Sequence, residues 1–274
     1  MPTMLLAVPE LPESLREPAI DIYFHIYLTL LEGGEAHFVR LTDLLEQHHA
    51  SFSQEEGRAM YKYAQNFCIR QINQGIPEYE ARLFALYQMQ LSNGRIVTDG
   101  QMAHTDYKNI ATVGLRVGQY AWVREFLDRH LPLIAKDFRL NVYNYCLAAW
   151  HLEQGQFQEA IRWLNQVAFT DIAYRISAQY ILLKAYFEAE EWDSLEYLIK
   201  AFGNYIRRTK GISPANRSNH RNFLRMLRKL LRITMRKSSW TRAQFQAALG
   251  ELRQEIEQTP QLPHLEWLLE KCRG

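Results

Sequence analysis

Between Tyr197 and Gly250 this 274-residue chain has no aspartate and no glutamate. Thirteen lysines and arginines occupy the same stretch, so the formal net charge of +2 conceals a segment of +13 set against −11 for all the rest. Cysteine is scarce too. Cys68, Cys146 and Cys272 stand far apart with no CxxC pair, which argues against a disulfide framework and for a reducing compartment. No run approaches the roughly 18 uncharged apolar residues that a membrane span requires. The opening MPTMLLAV is too short for a signal peptide, has no basic flank before it, and gives way to Pro9 and Pro12. These absences predict a cytoplasmic protein.

Catalytic signatures are missing as well. HExxH, GxSxG and a glycine-rich loop followed by Lys-Ser/Thr do not occur, and the nine histidines are dispersed. His48 and His49 are adjacent and cannot place two imidazoles on one helical face. Two of the cysteines fall on apolar stripes and read as core. The sequence implies no catalytic residue, no metal site and no cofactor.

What is present is 47% hydrophobic and 12% aromatic, enough for a sizeable core. Pro2, Pro9, Pro12 and Pro18 make residues 1–18 an extended lead-in. From Ala19 the apolar residues recur with helical period. Ile22, Tyr23, Ile26, Tyr27, Leu30 and Leu31 form one stripe, Gly33-Gly34 breaks it, and Phe38, Leu41, Leu44 and Leu45 form the next. A second hairpin is expected from Gln54 to Asn73 and from Tyr79 to Leu91, entered through a Ser53/Glu56 capping box. Ser92 to Gln101 holds two turn signals, Asn93-Gly94 and Asp99-Gly100, around Ile96-Val97, and predicts a loop or a small excursion of strand.

A register then repeats three times. Tyr107, Ile110, Ala111, Gly118, Tyr120, Val123 and Leu127 align with Asn144, Leu147, Ala148, Gly155, Phe157, Ala160 and Leu164, and these align with Gln179, Leu182, Leu183, Glu190, Trp192, Leu195 and Ile199. The offsets are 37 and 35 residues. The middle copy, Asn141 to Val167, resembles a tetratricopeptide repeat (TPR), whose period is about 34 residues. The resemblance implies an all-α, right-handed α-solenoid of about six TPR-like hairpins over 19–272, with divergent hairpins in 19–103, a TPR-like core in 104–207, and a basic helix with a C-terminal capping helix in 208–272. A solenoid needs such a cap to stay soluble.

Two surfaces suggest function. In the expected helix from Asn216 to Lys237, Arg217, Arg221, Arg225, Arg228, Arg232 and Arg236 are spaced 4, 4, 3, 4 and 4, which gathers them on an arc of about 100°. Phe223, Leu224, Met226, Leu227, Leu230, Leu231 and Ile233 take the other side. Such a face is either solvated, neutralised by carboxylates elsewhere, or turned to an acidic protein segment or the phosphates of a nucleic acid. The resemblance to TPR proteins implies a second surface, a concave groove lined by the first helix of each hairpin, with Lys108, Asn109, Thr112, Arg116, Tyr145, Tyr180 and Lys184 in line to grip a protein or peptide. The expected function is a non-catalytic intracellular interaction scaffold for a protein or peptide; nucleic-acid binding through the arginine stripe is the alternative.

Overall fold

The structure, a computed structural model, describes residues 17–32, 34–168 and 171–273. The lead-in expected over residues 1–16, and Gly33 of the first break, lie outside these. Among the described residues the chain is all-α apart from one pair of two-residue strands. It divides into two compact units, 1–153 and 154–274. The division falls within the TPR-like stretch from Asn141 to Val167, so its two helices belong to different units. The first unit holds 13 basic and 18 acidic residues and the second 19 and 12, which gives formal charges of −5 and +7.

The first unit contains α1 (Pro18–Glu32), α2 (Glu35–His48), α3 (Gln54–Asn73), α4 (Glu78–Ser92), α5 (His104–Arg116), α6 (Tyr120–His130) and α7 (Lys136–Glu153). Pro18 is the first residue of α1 rather than the end of an extended segment, a position where its missing N–H costs nothing. Successive helices pack on each other; α1 also meets α3, and α5 meets α7. Their shared interior is aromatic. Phe38 and Phe67 lie 5.1 Å apart and stacked, and the buried Tyr107 ring meets Phe126 at 5.1 Å while its hydroxyl donates to the Leu127 carbonyl at 2.7 Å.

Between α4 and α5 the two turn signals produce β1 (Val97–Thr98) and β2 (Gln101–Met102), an antiparallel pair. Asp99 and Gly100 both take positive φ, 51° and 73°, as a tight two-residue hairpin requires. The same excursion carries Arg95, which is 8% exposed and donates to the carbonyls of Ser53 and Phe52 at 2.8 and 2.9 Å and to that of His49. It ties the excursion to the chain between α2 and α3. The helical pattern gave no sign of this clamp, because its partners are backbone carbonyls more than forty residues away.

The second unit contains α8 (Phe157–Leu164), α9 (Ile172–Glu188), α10 (Trp192–Arg208), α11 (Pro214–Met235), α12 (Arg242–Gln258) and α13 (Leu265–Lys271). Each helix packs on the next, and α13 also meets α11. Leu183, Leu195, Phe202, Phe223, Leu227, Ile256 and Leu268 form one core. At about 1.5–3 kcal/mol for each fully buried large apolar side chain, this interior rather than helix propensity holds the unit together. Trp267 of α13 seals it by donating to Glu188 at 2.9 Å and meeting the Phe187 ring edge-on at 5.4 Å.

The sequence predicts a basic connection over Gly203 to Asn216, holding Gly211 and Pro214, and the structure differs from it at two residues. Gly203 does not end a helix. It lies inside α10, where burial of Ile199, Phe202 and Ile206 around it outweighs its weak helix propensity. Pro214 belongs to α11, not to the connection before it: Ser213 caps the helix by accepting from the Asn216 amide, and proline fits the first turn.

The repeated register is visible in the backbone. Gly118, Gly155 and Glu190 stand at equivalent positions and all adopt left-handed φ, of 75°, 69° and 57°. After α5 the Gln119 amide reaches back to the Gly114 carbonyl at 2.9 Å, and after α9 the Glu191 amide reaches the Tyr186 carbonyl at 2.9 Å. Both are six-to-one bonds of a Schellman ending, which needs the left-handed residue before it. Glu190 meets this requirement against the preference of an L side chain. Replacing Glu190 with Gly should raise stability by about 0.5–1 kcal/mol in urea unfolding followed by circular dichroism; an unchanged or lower midpoint would contradict the shared turn.

Candidate anion-binding face

The arginines of α11 stay outside because the other side of the helix is used up. Phe223, Leu224, Met226, Leu227, Leu230 and Leu231 are all buried against α10, α12 and α13. The cationic side is thereby fixed in orientation. Arg221, Arg225 and Arg232 are exposed and Arg228 is half-buried.

The six arginines do not share one role. Arg217 is turned inward to the end of α10, where its guanidinium donates to the carbonyls of Arg207, Thr209 and Ile212 at 2.8, 3.0 and 3.3 Å and to that of Ile206. These carbonyls lie in or just after the last turn of α10, where intrahelical donors run out and positive charge is favoured. Arg225 lies 4.0 Å from Glu255 of α12, and the same carboxylate takes Lys229 at 2.5 Å. Arg236 is the C-cap of α11 and sits 5.8 Å from the Trp240 ring centroid. Arg221, Arg228 and Arg232 make no hydrogen bond or ion pair among the described residues.

Together with α10 these side chains line a groove of about 480 Å³. Lys200 and Arg207 enter it from α10, and Arg217, Arg221, Arg225 and Arg228 from α11. Its floor is Ile199, Gly203 and Leu224, and no acidic residue lines it. Two carboxylates approach its cations from outside, each at 4.0 Å: Glu196 beside the exposed Lys200 and Glu255 beside Arg225. A concave surface lined by one sign of charge over a low-dielectric floor concentrates the field and attracts counter-ions. Lys200 and Arg207 escaped the sequence reading as site residues, although with Tyr197 and Asn204 they are spaced 3, 4 and 3 on one face of α10.

The residues expected in a concave groove fall in both units. Lys108, Asn109, Thr112, Arg116 and Tyr145 belong to the first unit, Tyr180 and Lys184 to the second. Arg116 pairs with Glu80 at 3.2 Å, Thr112 donates to the Lys108 carbonyl in its own helix, and Asn109 is exposed. Tyr145 and Tyr180 are 6% and 5% exposed. The Tyr180 hydroxyl meets His220 Nδ1 at 2.6 Å among the rings of Phe202, Phe223 and His264, so it is a core residue. Lys184 lies 5.7 Å over the Trp267 ring. Lys108 is half-buried.

The thiols offer no nucleophile. All three are buried; loss of solvent pushes Cys68 up to about 12 and Cys272 to about 11, and raises Cys146 as well. Among the described residues no cluster of histidine, cysteine and carboxylate could hold a metal ion, and no helix is long and apolar enough to cross a membrane.

No family model matches this chain, and neither a curated protein nor a solved structure does.

Replacing Arg217 with Ala should cost about 1–3 kcal/mol, because several carbonyls lose their donor at once. Arg221→Ala should change stability by no more than about 0.5 kcal/mol. Equal unfolding midpoints for the two variants would remove the distinction between the capping arginine and the open ones.

Proposed function

We propose that this chain is a non-catalytic interaction scaffold that docks an anionic partner on the basic groove between α10 and α11. The observation that carries the reading is that the groove gathers six cations, lined by no carboxylate, on a surface whose orientation is fixed by a buried apolar side. Burial of all three free thiols suits a reducing, intracellular setting.

The wider architecture belongs to the same proposal. The hairpins form a right-handed α-solenoid of about six TPR-like units closed by a C-terminal helix. What supports it is the left-handed turn that recurs at residues 118, 155 and 190, near the period of the TPR family. The groove row from Lys108 to Lys184 carries less of the function than the basic face, because most of its side chains are engaged in their own units.

Calorimetric titration with two defined polyanions, poly-glutamate and long-chain inorganic polyphosphate, tests this at about 50 mM salt, where phosphate and carboxylate contacts are strongest. The chain should bind at least one of them. Arg221→Glu with Arg228→Glu should weaken binding more than about tenfold, while Lys108→Glu leaves it unchanged. Failure of both polyanions to bind, or an equal loss in Lys108→Glu, would refute the assignment.

A further inference from the structure

Tyr197 is 75% exposed, more than any other large apolar side chain among the described residues. It stands on α10 three residues before Lys200, seven before Asn204 and ten before Arg207. At 100° per residue these four share one side of the helix, and the last three line the basic groove. Tyr197 therefore continues the groove by one turn toward the start of α10. An aromatic ring held in water at that place has no packing role in its own unit.

We infer that the groove between α10 and α11 binds a single strand of nucleic acid, with its phosphates along the arginines and a base stacked on Tyr197. This rests on the anionic-partner reading above and names the partner.

Arg221, Arg225 and Arg228 of α11, which line the groove, follow one another at about 6 and 4.5 Å along the axis. That repeat suits the successive phosphates of an extended strand. It also suits alternate side chains of an acidic peptide, which lie about 6.7 Å apart, so spacing does not separate the two. Two other features do. A peptide draws its affinity from apolar or aromatic anchors seated in desolvated pockets. The groove offers instead Ile199, Gly203 and Leu224 among its cations, with no aromatic residue in its lining. A single strand needs no such pocket, since its affinity comes from neutralised phosphates and from bases lying flat on exposed rings. Tyr197 supplies the ring at the rim. Gly203 keeps the floor low, and Asn204, already accepting from Arg207 Nη2 at 3.0 Å, leaves its amide N–H groups for a base or a sugar.

The groove discriminates against a duplex on the same grounds. Paired bases are closed to stacking on Tyr197, and only the phosphate contribution remains.

Fluorescence anisotropy with a labelled 15-nucleotide oligo-dT, its duplex with oligo-dA, and a poly-glutamate peptide of equal charge tests the assignment at about 150 mM salt. The single strand should bind at least tenfold more tightly than either competitor. Tyr197→Ala should weaken it about 5- to 30-fold without changing its salt dependence, as loss of one stacked base would. Arg228→Gln should reduce the slope of log K against log salt by about 0.7, the share of one phosphate contact. Arg242→Glu, a charge reversal on the exposed start of α12, should be nearly neutral, and the melting curves of the variants verify that each is folded. Poly-glutamate bound as well as the strand, duplex bound as well, or full affinity in Tyr197→Ala overturns the inference and leaves the anionic-partner reading standing. No binding by any of the three, even at about 50 mM salt, overturns both.

Discussion

A helix with six buried apolar residues on one side and a row of arginines on the other has a single orientation open to it. Burial of Phe223, Leu224, Met226, Leu227, Leu230 and Leu231 against three neighbouring helices fixes α11. The arginines must then face outward, toward α10 or toward solvent. With no acidic residue between Tyr197 and Gly250, neither α11 nor the second half of α10 can neutralise them. Among the described residues, Glu255 and the carbonyls at the end of α10 reduce their repulsion.

Arg217 shows how one row of identical residues is divided between two tasks. It lies beside the point where α10 runs out of intrahelical donors, so its charge is absorbed by carbonyls and becomes part of the connection. One turn further on, Arg221 has no such carbonyls within reach and remains available. The same economy governs Arg95 in the first unit, a buried guanidinium whose two Nη atoms donate to backbone oxygens and one glutamine. In both places an arginine closes an irregular segment that no regular hydrogen-bond ladder reaches.

The helical hairpins were legible because their apolar residues recur with the helical period over long stretches. The α3 and α4 boundaries expected at Gln54, Asn73 and Leu91 lie within a residue of those observed. The turns were legible too. The register put Gly118, Gly155 and Glu190 at equivalent positions, but the left-handed backbone they share was not read from it, since the glutamate side chain gives no hint of one. Capping was read unevenly. Ser53 does accept from the Glu56 amide, whereas the full reciprocal box at Thr241 and Gln244 went unnoticed although its spacing is the same. Gly203 and Pro214 misled, since a glycine in a helix and a proline at its first turn look in sequence like interruptions.

By itself the sequence determined the helices, the repeated turn and the charge asymmetry, because each depends on residues close together along the chain. The arc of arginines was fixed at the same level, since helical geometry alone puts residues three and four apart on one side. Only the tertiary structure decided which charges are free. Arg217 and Arg221 are equivalent in the pattern, and what separates them is the end of a different helix. Tyr145 and Tyr180 fit a groove by register but are buried, because burial depends on neighbours far away in sequence. Lys200 and Arg207 become part of a binding face only when α10 is laid against α11 and the two rows of cations enclose one space.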